Sequence, residues 1–500
     1  MSQPQGSRYQ APSFVGWLPQ LSFIQWVAVF TLATVIAVLP GIWTLPGLVA
    51  LIVSLLVLIK PEGGVYLLTM SIPLGYLLEV EGDEFSVTPT EMIIGLMVVG
   101  WALRAFSRRR IVIPPTPLLI PLLGMLAIVA LSINYAASPA LTMKETLKWA
   151  ELLLVYLFIV SEMASLRHVL TLLVLLLLGA IIEALIGSVQ FVFSMGPEFY
   201  SIGRFMRAYG TFEQPNPYAG YLGMLIPLAV GILLAWPGKR LRNYTLFALA
   251  LAVAAVGMSL SRGAWVGISL ALVIMMVFWS HRTRILLAAG ILAATPLSAL
   301  AFLNILPPEL TARLATVFDY FRFVDVTREV VTPQNFAVIE RMAHWQAAIN
   351  MIEAHPLLGV GAGNYPAVYE AYSVEGWDEA LGHAHNFYLN IAAETGFVGL
   401  ATYLSIFVIA LLHSVKWLLR SFSEGQPDQA GRAADPYAET LLWRGILVGV
   451  LGALIASCIH NMFDNLFVHS MSIQLGMILA LGQLSAIALA RPAIRSQENP

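Results

Sequence analysis

Apolar runs long enough to cross a lipid bilayer recur along almost the whole chain, and this feature constrains the fold more than any other. A membrane-spanning helix needs about 20 apolar residues, and about fourteen segments approach that length, from 21–40 to 467–490. Only 11% of the 500 residues are charged, against about 25% in soluble domains. The sequence therefore predicts an all-α polytopic membrane protein with about 12–14 transmembrane helices and one large, partly helical outer loop.

The basic residues predict the orientation of these spans. With the N-terminus inside, eighteen of the 27 Lys and Arg residues fall in inside segments, which is the side that basic residues favour. The polar N-terminus lacks the pattern of a cleaved signal peptide, so the first span is expected to stay. The predicted segments are a cytoplasmic N-terminus 1–20, transmembrane helices 21–303, the outer loop 304–385, transmembrane helices 386–490 with a cytoplasmic linker 417–440, and a cytoplasmic C-terminus 491–500.

Composition excludes several other classes of function. The net charge of −2 leaves no electrostatic footprint for nucleic acid. The single cysteine, Cys458, excludes an intrachain disulfide and a multi-cysteine metal site. Glu81 and Asp83 in EVEGDE have the spacing of a possible Mg²⁺ site, but a solvated acidic loop is the simpler interpretation. We expect neither a metal nor a cofactor.

Four arginines on the predicted outer side are candidate anion-binding residues. Arg204 and Arg207 precede the turn sequence GTFEQPNPYAG, and a helical turn would point both the same way. Arg262 lies in MSLSRGAWVG, where a helix N-terminus beside a guanidinium favours anions. Arg341 heads an amphipathic helix whose Met342 and Trp345 recur at helical spacing. The alternatives are interfacial anchoring, helix capping and a solvated helix face paired with nearby acids.

The segment HPLLGVGAGNY follows that amphipathic helix, and its glycines alternate at positions 359, 361 and 363. Such glycines permit a tight backbone path close to a ligand. The segment has neither the GK[ST] sequence of a phosphate-binding loop nor a strand-to-helix context, so it does not indicate nucleotide binding.

Polar residues gather at the mouth of the next span, in GHAHNFYLNIAAETGFVGL. His383 and His385 are candidate proton acceptors, and a His–x–His pair also occurs in metal sites, although the sequence offers no clear third ligand. Asn386, Asn390 and Glu394 are spaced by four and predict one polar stripe on that helix. A second polar group, His460, Asn461, Asp464 and Asn465, ends the penultimate span and is expected to support the first.

Three of these fragments resemble the family of O-antigen ligases and O-antigen polymerases, which are bacterial envelope glycosyltransferases. They are SRGAWVG at 261–267, R–x3–W–x2–A ending in HPLLGVGAGNY at 341–365, and HAHNFYLNIAAETGFVGL at 383–400. The order of spans and the long loop before the last motif also resemble that family. The resemblance covers residues from about 200 to 400, whereas earlier residues match only as apolar spans.

The resemblance implies metal-independent, inverting transfer of a glycan from undecaprenyl pyrophosphate on the outer, periplasmic face of the bacterial inner membrane. The acceptor would be lipid A-core or a growing polysaccharide. By position, Arg262 and Arg341 take the place of the family's pyrophosphate-binding arginines, and His385 that of its catalytic histidine. Arg207 is a weaker correspondence. The expected supporting residues are His383, Asn386, Asn390, Glu394 and Arg204.

A membrane transporter, for inorganic carbon or another small solute, is the alternative from a different class. Transporters are expected to have broken helices and ionisable groups near the middle of the membrane. Here the unusual polar residues lie at the predicted outer ends of spans, and Glu183 is the one carboxylate deep within an apolar run. A buried carboxylate there is expected to pair within the bundle. The sequence therefore favours the enzyme.

Overall fold

The protein is described by a computed structural model at residues 34, 44–75, 88–110, 113–290, 326, 329–332, 335–423 and 434–497. Several predicted segments lie wholly or largely outside these residues: the N-terminus 1–20, span 21–40, the acidic cluster 79–84, the second half of span 285–303, the start of the outer loop and the middle of the linker 417–440.

Helices make up nearly all of the described secondary structure. A further helical stretch covers 281–290, and short 3₁₀ turns occupy Ser132–Asn134, Glu198–Tyr200 and Tyr369–Ala371. The elements in chain order are α1 (Thr44–Ile59), α2 (Glu62–Leu74), α3 (Pro89–Arg108), α4 (Leu119–Leu131), α5 (Pro139–Glu162), α6 (Leu166–Val192), β1 (Ser201–Ile202), β2 (Phe205–Met206), α7 (Pro215–Leu234), α8 (Lys239–Ser259), α9 (Arg262–Trp279), α10 (Phe336–Ala354), α11 (Tyr365–Val368), α12 (Phe387–Ser423), α13 (Ala434–His460) and α14 (Met471–Gln497).

The all-α polytopic membrane class predicted from the sequence is confirmed. Within the described residues, eight helices are long and apolar enough to cross a membrane: α3, α6, α7, α8, α9, α12, α13 and α14. Two shorter apolar helices, Gly47–Ile59 and Leu119–Asn134, accompany them.

Local sequence explains where several helices begin and break. Proline occupies the first position of α5 and α7, where its missing N–H is harmless and its fixed φ suits a helix. The runs 149–164 and 168–194 form two helices, because Ser165 caps α6 by accepting from the backbone N–H of His168 at 3.3 Å. The long helix α12 is interrupted at Gly396, whose φ of 65° and ψ of −172° are not helical.

The chain divides into two compact units. The first contains 44–67 and 92–110, in which Arg104 and Glu62 form an ion pair at 2.5 Å. A methyl group at Gly100 would lie 2.9 Å from the carbonyl oxygen of Leu58. Glycine therefore allows α1 and α3 to pack closely within this unit.

The second unit contains 68–91 and everything described from 113 onward, including all the candidate site residues. Helix α13 packs between α7 and α9 in this unit. A side chain at Gly231 of α7 would overlap the carbonyl oxygen of Gly445, and one at Gly267 of α9 would lie 2.7 Å from that of Ala456. Small residues thus bring three helix backbones together, and this packing fixes the end of α13 beside the start of α9.

Candidate active site

Arg262 is the first residue of α9 and is only 4% exposed. The chain reaches it through Leu260, whose backbone is left-handed, and Ser261, whose side chain makes no capping bond to α9. Instead the Ser261 hydroxyl lies 3.3 Å from Nε2 of His460. The start of α9 thus combines uncapped backbone N–H groups with a guanidinium, as expected for an anion site.

The end of α13 lies directly against this helix start. A methyl group at Gly263 would be 2.7 Å from Cδ2 of His460, so glycine is required for the close approach. His460 is buried beside the N-terminus of α9. The sequence prediction that the residues ending this span support the candidate site agrees with this placement.

Arg204 and Arg207 do not lie on a helical turn, so that prediction is wrong. Residues 201–206 form a two-stranded hairpin in which Ser201 pairs with Met206 and Ile202 with Phe205. Gly203 supplies a left-handed residue at its tip, which suits a tight hairpin turn better than a helix. Arg204 is exposed at this tip, with its guanidinium 4.9 Å from the centre of the Phe205 ring.

Arg207 turns inward just after the hairpin. Its Nε donates to the carbonyl oxygen of Ser259 at 2.8 Å, and a terminal nitrogen donates to Oδ1 of Asn216 at 2.9 Å. The first bond satisfies a carbonyl at the end of α8, as basic residues often do at helix C-termini. Arg207 therefore joins the end of α8 to the start of α7.

The histidine loop, residues 382–386, leads into α12. Asn386 caps that helix, because its Oδ1 accepts from the backbone N–H groups of Tyr388 at 3.0 Å and Leu389 at 3.1 Å. Asn390 reaches back to accept from the N–H of Ala384 at 3.0 Å. Two residues of the predicted polar stripe, Asn386 and Asn390, thus hold the histidine loop against the start of α12.

His385 has a left-handed backbone with φ of 51°. A non-glycine residue rarely adopts this conformation, which persists where the surroundings impose it. Trp345 of α10 donates from Nε1 to the carbonyl oxygen of His385 at 3.4 Å, and Phe387 donates from its N–H to the carbonyl oxygen of Asn461 at 2.9 Å. Contacts from α10 and from the end of α13 therefore fix the backbone on both sides of this histidine.

Asp464 lies at the centre of the site and is only 3% exposed. Its Oδ1 is 3.5 Å from Nδ1 of His385 and 3.8 Å from Nε2 of His383. Its Oδ2 accepts from Nδ2 of Asn216 at 2.5 Å. Because Asn216 also accepts from Arg207, a polar chain connects that arginine to the two histidines through Asp464.

These contacts determine the protonation of the site. Burial and the neighbouring His385 lower the pKa of His383 to about 4, against the opposing effect of Asp464. Burial raises the pKa of Asp464, but its contact with His385 and the charges of His385, His383 and Arg341 lower it more. The pKa of Asp464 is therefore held well below its usual range. Asp464 is therefore a carboxylate, and His383 is neutral, at physiological pH.

Both ring nitrogens of His385 are buried, although its side chain is 17% exposed, and neither nitrogen has a hydrogen-bond partner among the described residues. An unsatisfied buried nitrogen is costly and calls for an explanation. A nearby carboxylate at Nδ1 favours the tautomer protonated there, which leaves Nε2 with a lone pair. That nitrogen is available to accept a proton from a bound group.

The cluster of His383, His385 and Asp464 raises the question of a metal, because one ligand atom from each lies within 4.8 Å of the others. Asp464 thus occupies the position of the third potential ligand that the sequence analysis did not identify. However, Nδ1 of His383 accepts the backbone N–H of His385 at 3.0 Å. The proton of neutral His383 must then be on Nε2, and a protonated ring nitrogen does not coordinate a metal. The donor set does not fit.

Helix α10 contributes His344, which the sequence analysis did not single out. Its ring is stacked on Tyr369 and lies 5.7 Å, centre to centre, from that of His385. Its Nδ1 lies 3.3 Å from the hydroxyl of Tyr365. Burial and the charge of His385 lower the pKa of His344 to about 4. The one available sequence signal was its position, one turn from Arg341.

Arg341 lies one turn before Trp345 on α10 and is half-buried. Its charge acts on Asp464 and His383, lowering the pKa of both. Arg341 therefore lies within electrostatic range of Asp464 and His383. Arg207 joins the cluster through Asn216. Arg262 follows Ser261, whose hydroxyl is 3.3 Å from Nε2 of His460, whereas Arg204 lies at the exposed hairpin tip.

Glu394 and the glycine-rich segment have a different role from the one expected. The Glu394 carboxylate accepts from the N–H groups of Gly363 at 2.9 Å and Tyr365 at 3.1 Å. A side chain at Gly359 would overlap the backbone of α12, and one at Gly361 would lie 2.8 Å from Cβ of Ala136. Gly359 and Gly361 thus permit contact with other protein segments rather than with a ligand.

Glu183, the deep carboxylate, pairs within the bundle as predicted. It accepts from the N–H of Thr211 at 3.0 Å and from the hydroxyl of Thr211 at 2.8 Å. It thereby holds the turn between the hairpin and α7.

Fold and site together define a polytopic membrane protein with a buried histidine–carboxylate cluster bordered by arginines. Residues 247–404 match the model of the O-antigen ligase family. All three motifs that carried the predicted resemblance fall in this segment, so the resemblance is confirmed over it. No curated protein matches the chain. The family implies a glycosyltransferase-like activity in lipopolysaccharide biosynthesis, with glycan-linked lipids as donors and polysaccharides as acceptors in general.

Proposed function

We propose that this protein transfers a glycan from undecaprenyl pyrophosphate to a hydroxyl of lipid A-core or of a growing polysaccharide. The observation that carries the proposal is His385: its backbone is left-handed, both of its ring nitrogens are buried, and its Nδ1 lies 3.5 Å from a buried carboxylate. Strained backbones and unsatisfied buried nitrogens concentrate at functional sites.

In the proposed step, Nε2 of His385 takes the proton of the acceptor hydroxyl, and the freed oxygen bonds to the anomeric carbon of the donor. The bond between that carbon and the phosphate oxygen breaks, and its electron pair leaves with undecaprenyl pyrophosphate. The anomeric configuration inverts. Asp464 stabilises the imidazolium that forms and holds the ring in the required tautomer.

The arginines are proposed to bind the leaving pyrophosphate. Negative charge grows on the leaving oxygen as the bond breaks, so guanidinium groups stabilise the transition state more than the ground state. Arg262 at the start of α9 and Arg341 on α10 are the principal candidates, and Arg207 is a third. Two of the Arg207 nitrogens already bind protein groups, which favours a positioning role for it.

We propose that catalysis needs no metal, as the tautomer of His383 supports. Activity of the purified protein should therefore survive EDTA. Loss on chelation that Mg²⁺ or Mn²⁺ restores would contradict this and would direct attention to Glu81 and Asp83.

The site is proposed to face the periplasm from the bacterial inner membrane. The distribution of basic residues supports this orientation. Cysteine labelling in intact cells tests it: Glu353→Cys in the outer loop should react with an impermeant reagent, and Ser423→Cys at the end of α12 should not. The reverse pattern would show that the orientation is wrong.

The transporter alternative predicts broken helices whose freed backbone lines a cavity. Helix α12 is broken at Gly396, but the N–H of Phe397 donates to the carbonyl oxygen of Pro356 at 2.8 Å. A side chain at Gly396 would also overlap the backbone of Leu357. Because protein backbone fills this break, it does not support transport.

Transfer by the purified protein in detergent tests the proposal directly. The donor is an undecaprenyl-pyrophosphate-linked repeat unit, offered with lipid A-core in one reaction and with repeat-unit oligosaccharide in another. We expect release of undecaprenyl pyrophosphate and a product of inverted anomeric configuration with one acceptor. No transfer to either acceptor by folded protein that binds the donor would contradict the proposal.

A further inference from the structure

A cavity of about 280 Å³ lies beside the histidine cluster, between α5, the start of α12, the start of α14 and the loop that precedes α14. Its volume is near the lower end of the range of small-molecule pockets, about 300–1,000 Å³. His383 lines it, whereas His385 and the candidate arginines Arg262, Arg341 and Arg207 do not. The cavity is therefore a separate space that meets the site on the His383 side.

The lining combines aromatic rings with polar groups. Trp149, Phe387 and Phe467 contribute rings, of which the two phenylalanines meet edge to face at 4.9 Å. Asn465 and Ser472 contribute polar side chains. A sugar ring has an apolar C–H face that packs on aromatic side chains and hydroxyls that bind polar groups, so this mixture suits a sugar.

The charge of the lining favours a neutral ligand. Among the described residues, Lys148 is the one Lys or Arg residue that lines the cavity, and its Nζ is paired with Oε1 of Glu145 at 2.5 Å. Glu145 and Glu394 are the acidic residues of the lining. A pyrophosphate would require guanidinium or ammonium groups directed at it. The cavity therefore matches the neutral part of a glycan better than the charged leaving group.

The position of His383 connects the cavity to the proposed chemistry. Its ring centre is 4.4 Å from that of His385, and its Nε2 is 3.8 Å from Oδ1 of Asp464. A sugar in the cavity would thus have one edge beside the pair formed by His385 and Asp464. Arg207 reaches Asp464 through Asn216, and neither it nor Arg262 or Arg341 lines this space.

We propose that this cavity is the subsite for the terminal sugar of the acceptor glycan, held on the ring of Trp149 with its reactive hydroxyl directed past His383 toward His385. The inference rests on the proposed function and adds to it the location of the acceptor. The recognised chemistry is a neutral pyranose hydroxyl, whether it belongs to lipid A-core or to the end of a polysaccharide.

Two variants and a matched control test the subsite. Trp149→Ala removes the aromatic surface, and Ser472→Phe fills the cavity. Leu147→Ala shortens another apolar side chain on the same helix, but Leu147 is 49% exposed and does not line the cavity. We expect both cavity variants to raise the KM for the acceptor at least tenfold while donor affinity stays within twofold of wild type. Leu147→Ala should change neither.

A labelling measurement avoids dependence on activity. Ser472→Cys is treated with a maleimide in the presence of core oligosaccharide, of repeat-unit oligosaccharide, or of undecaprenyl pyrophosphate without sugar, with the unmodified protein as the control for Cys458. We expect one oligosaccharide to slow labelling at least fivefold, which identifies the acceptor source, and the lipid to have no effect.

The outcomes separate the two proposals. If wild type transfers glycan but both cavity variants keep the wild-type acceptor KM, the subsite is wrong and the proposed function stands. Protection of Ser472→Cys by undecaprenyl pyrophosphate would likewise overturn it, because the cavity would then hold the donor. If wild type transfers nothing to either acceptor, the proposed function itself fails.

Discussion

The glycine-rich segment 359–364 and the histidine loop 382–386 lie in motifs that look equally functional, yet they are built differently. In the first, three glycines have positive φ and their Cα atoms lie against neighbouring protein. In the second, a histidine has positive φ and its ring nitrogens are buried beside a carboxylate. One segment is shaped to pack, and the other to present a side chain.

This difference shows how a motif should be interpreted. A left-handed backbone is ordinary for glycine and costs little, so alternating glycines do not by themselves indicate a ligand. The same backbone at His385 must be imposed by its surroundings, through the contact of Trp345 with the His385 carbonyl and of Asn461 with the Phe387 N–H. The following predictions test whether the two segments differ in this way.

Gly359→Ala should have the largest effect, on stability. The added methyl group overlaps the backbone of α12 at a φ of 69°, and strain together with overpacking should cost about 3 kcal/mol or more. Gly376→Ala is the matched control, because its φ of 85° is also left-handed but nothing lies within 4 Å. Thermal unfolding in detergent measures the difference. Equal unfolding temperatures for the two variants would contradict the packing role.

Asp464→Asn should affect activity rather than folding. The amide keeps the shape but cannot stabilise the imidazolium of His385 or hold its tautomer, so transfer should fall roughly 10²-fold. Asp378→Asn, an exposed carboxylate in the loop before the histidines, is the control and should be fully active. A single-turnover assay provides the rates. Wild-type transfer by Asp464→Asn would remove the carboxylate from the mechanism.

Stability should depend on pH through the neutral buried histidines. The pKa of His344 is about 4 in the folded state, below about 6.5 in the unfolded chain. The unfolded state therefore binds more protons between these values, and stability is lost as the pH falls through that range. His344 alone should lower the unfolding free energy by roughly 2 kcal/mol between pH 7 and pH 5. His344→Gln should flatten this dependence, and an unchanged slope would show that His344 is not held neutral.

Glu394→Gln should have the smallest effect of these variants, and this effect should be a loss of stability. The two carboxylate oxygens of Glu394 accept from the backbone N–H groups of Gly363 and Tyr365. The glutamine amide has only one oxygen, so one of these hydrogen bonds is lost and the free energy of unfolding should fall by about 1 kcal/mol. Glu394 also lines the proposed acceptor cavity, so the rate per folded molecule should stay near wild type at saturating acceptor. A large loss of rate at unchanged stability would place Glu394 in the chemistry and weaken the contrast between the two segments.

Much of this architecture could be predicted from the sequence because it depends on local patterns. Apolar run length predicted the membrane class, and the motif around His385 predicted the family. The central place of Asp464 was not predictable, because it lies far along the chain from His385. It reaches the site only because α13 docks against the start of α12, through the Phe387 N–H and the Asn461 carbonyl.

The hairpin at 201–206 shows a second limit of the sequence. The three-residue spacing of Arg204 and Arg207 suggested a helical turn, but Gly203 and the paired flanking residues form a two-stranded hairpin instead. Spacing predicts a common direction only once the element is known. The role of Arg207 at the end of α8 then depends on a tertiary contact with Ser259, which no local pattern contains.

The central claim is that His385 is the proton acceptor, and comparison of His385→Ala with His383→Ala tests it most directly. Transfer rate and lipid-donor affinity are measured for both folded variants. His385→Ala should lose about 10²–10⁴-fold in the chemical step while it binds the donor normally, and His383→Ala should be milder. Full activity in His385→Ala, or an inactive His383→Ala beside an active His385→Ala, would contradict the account.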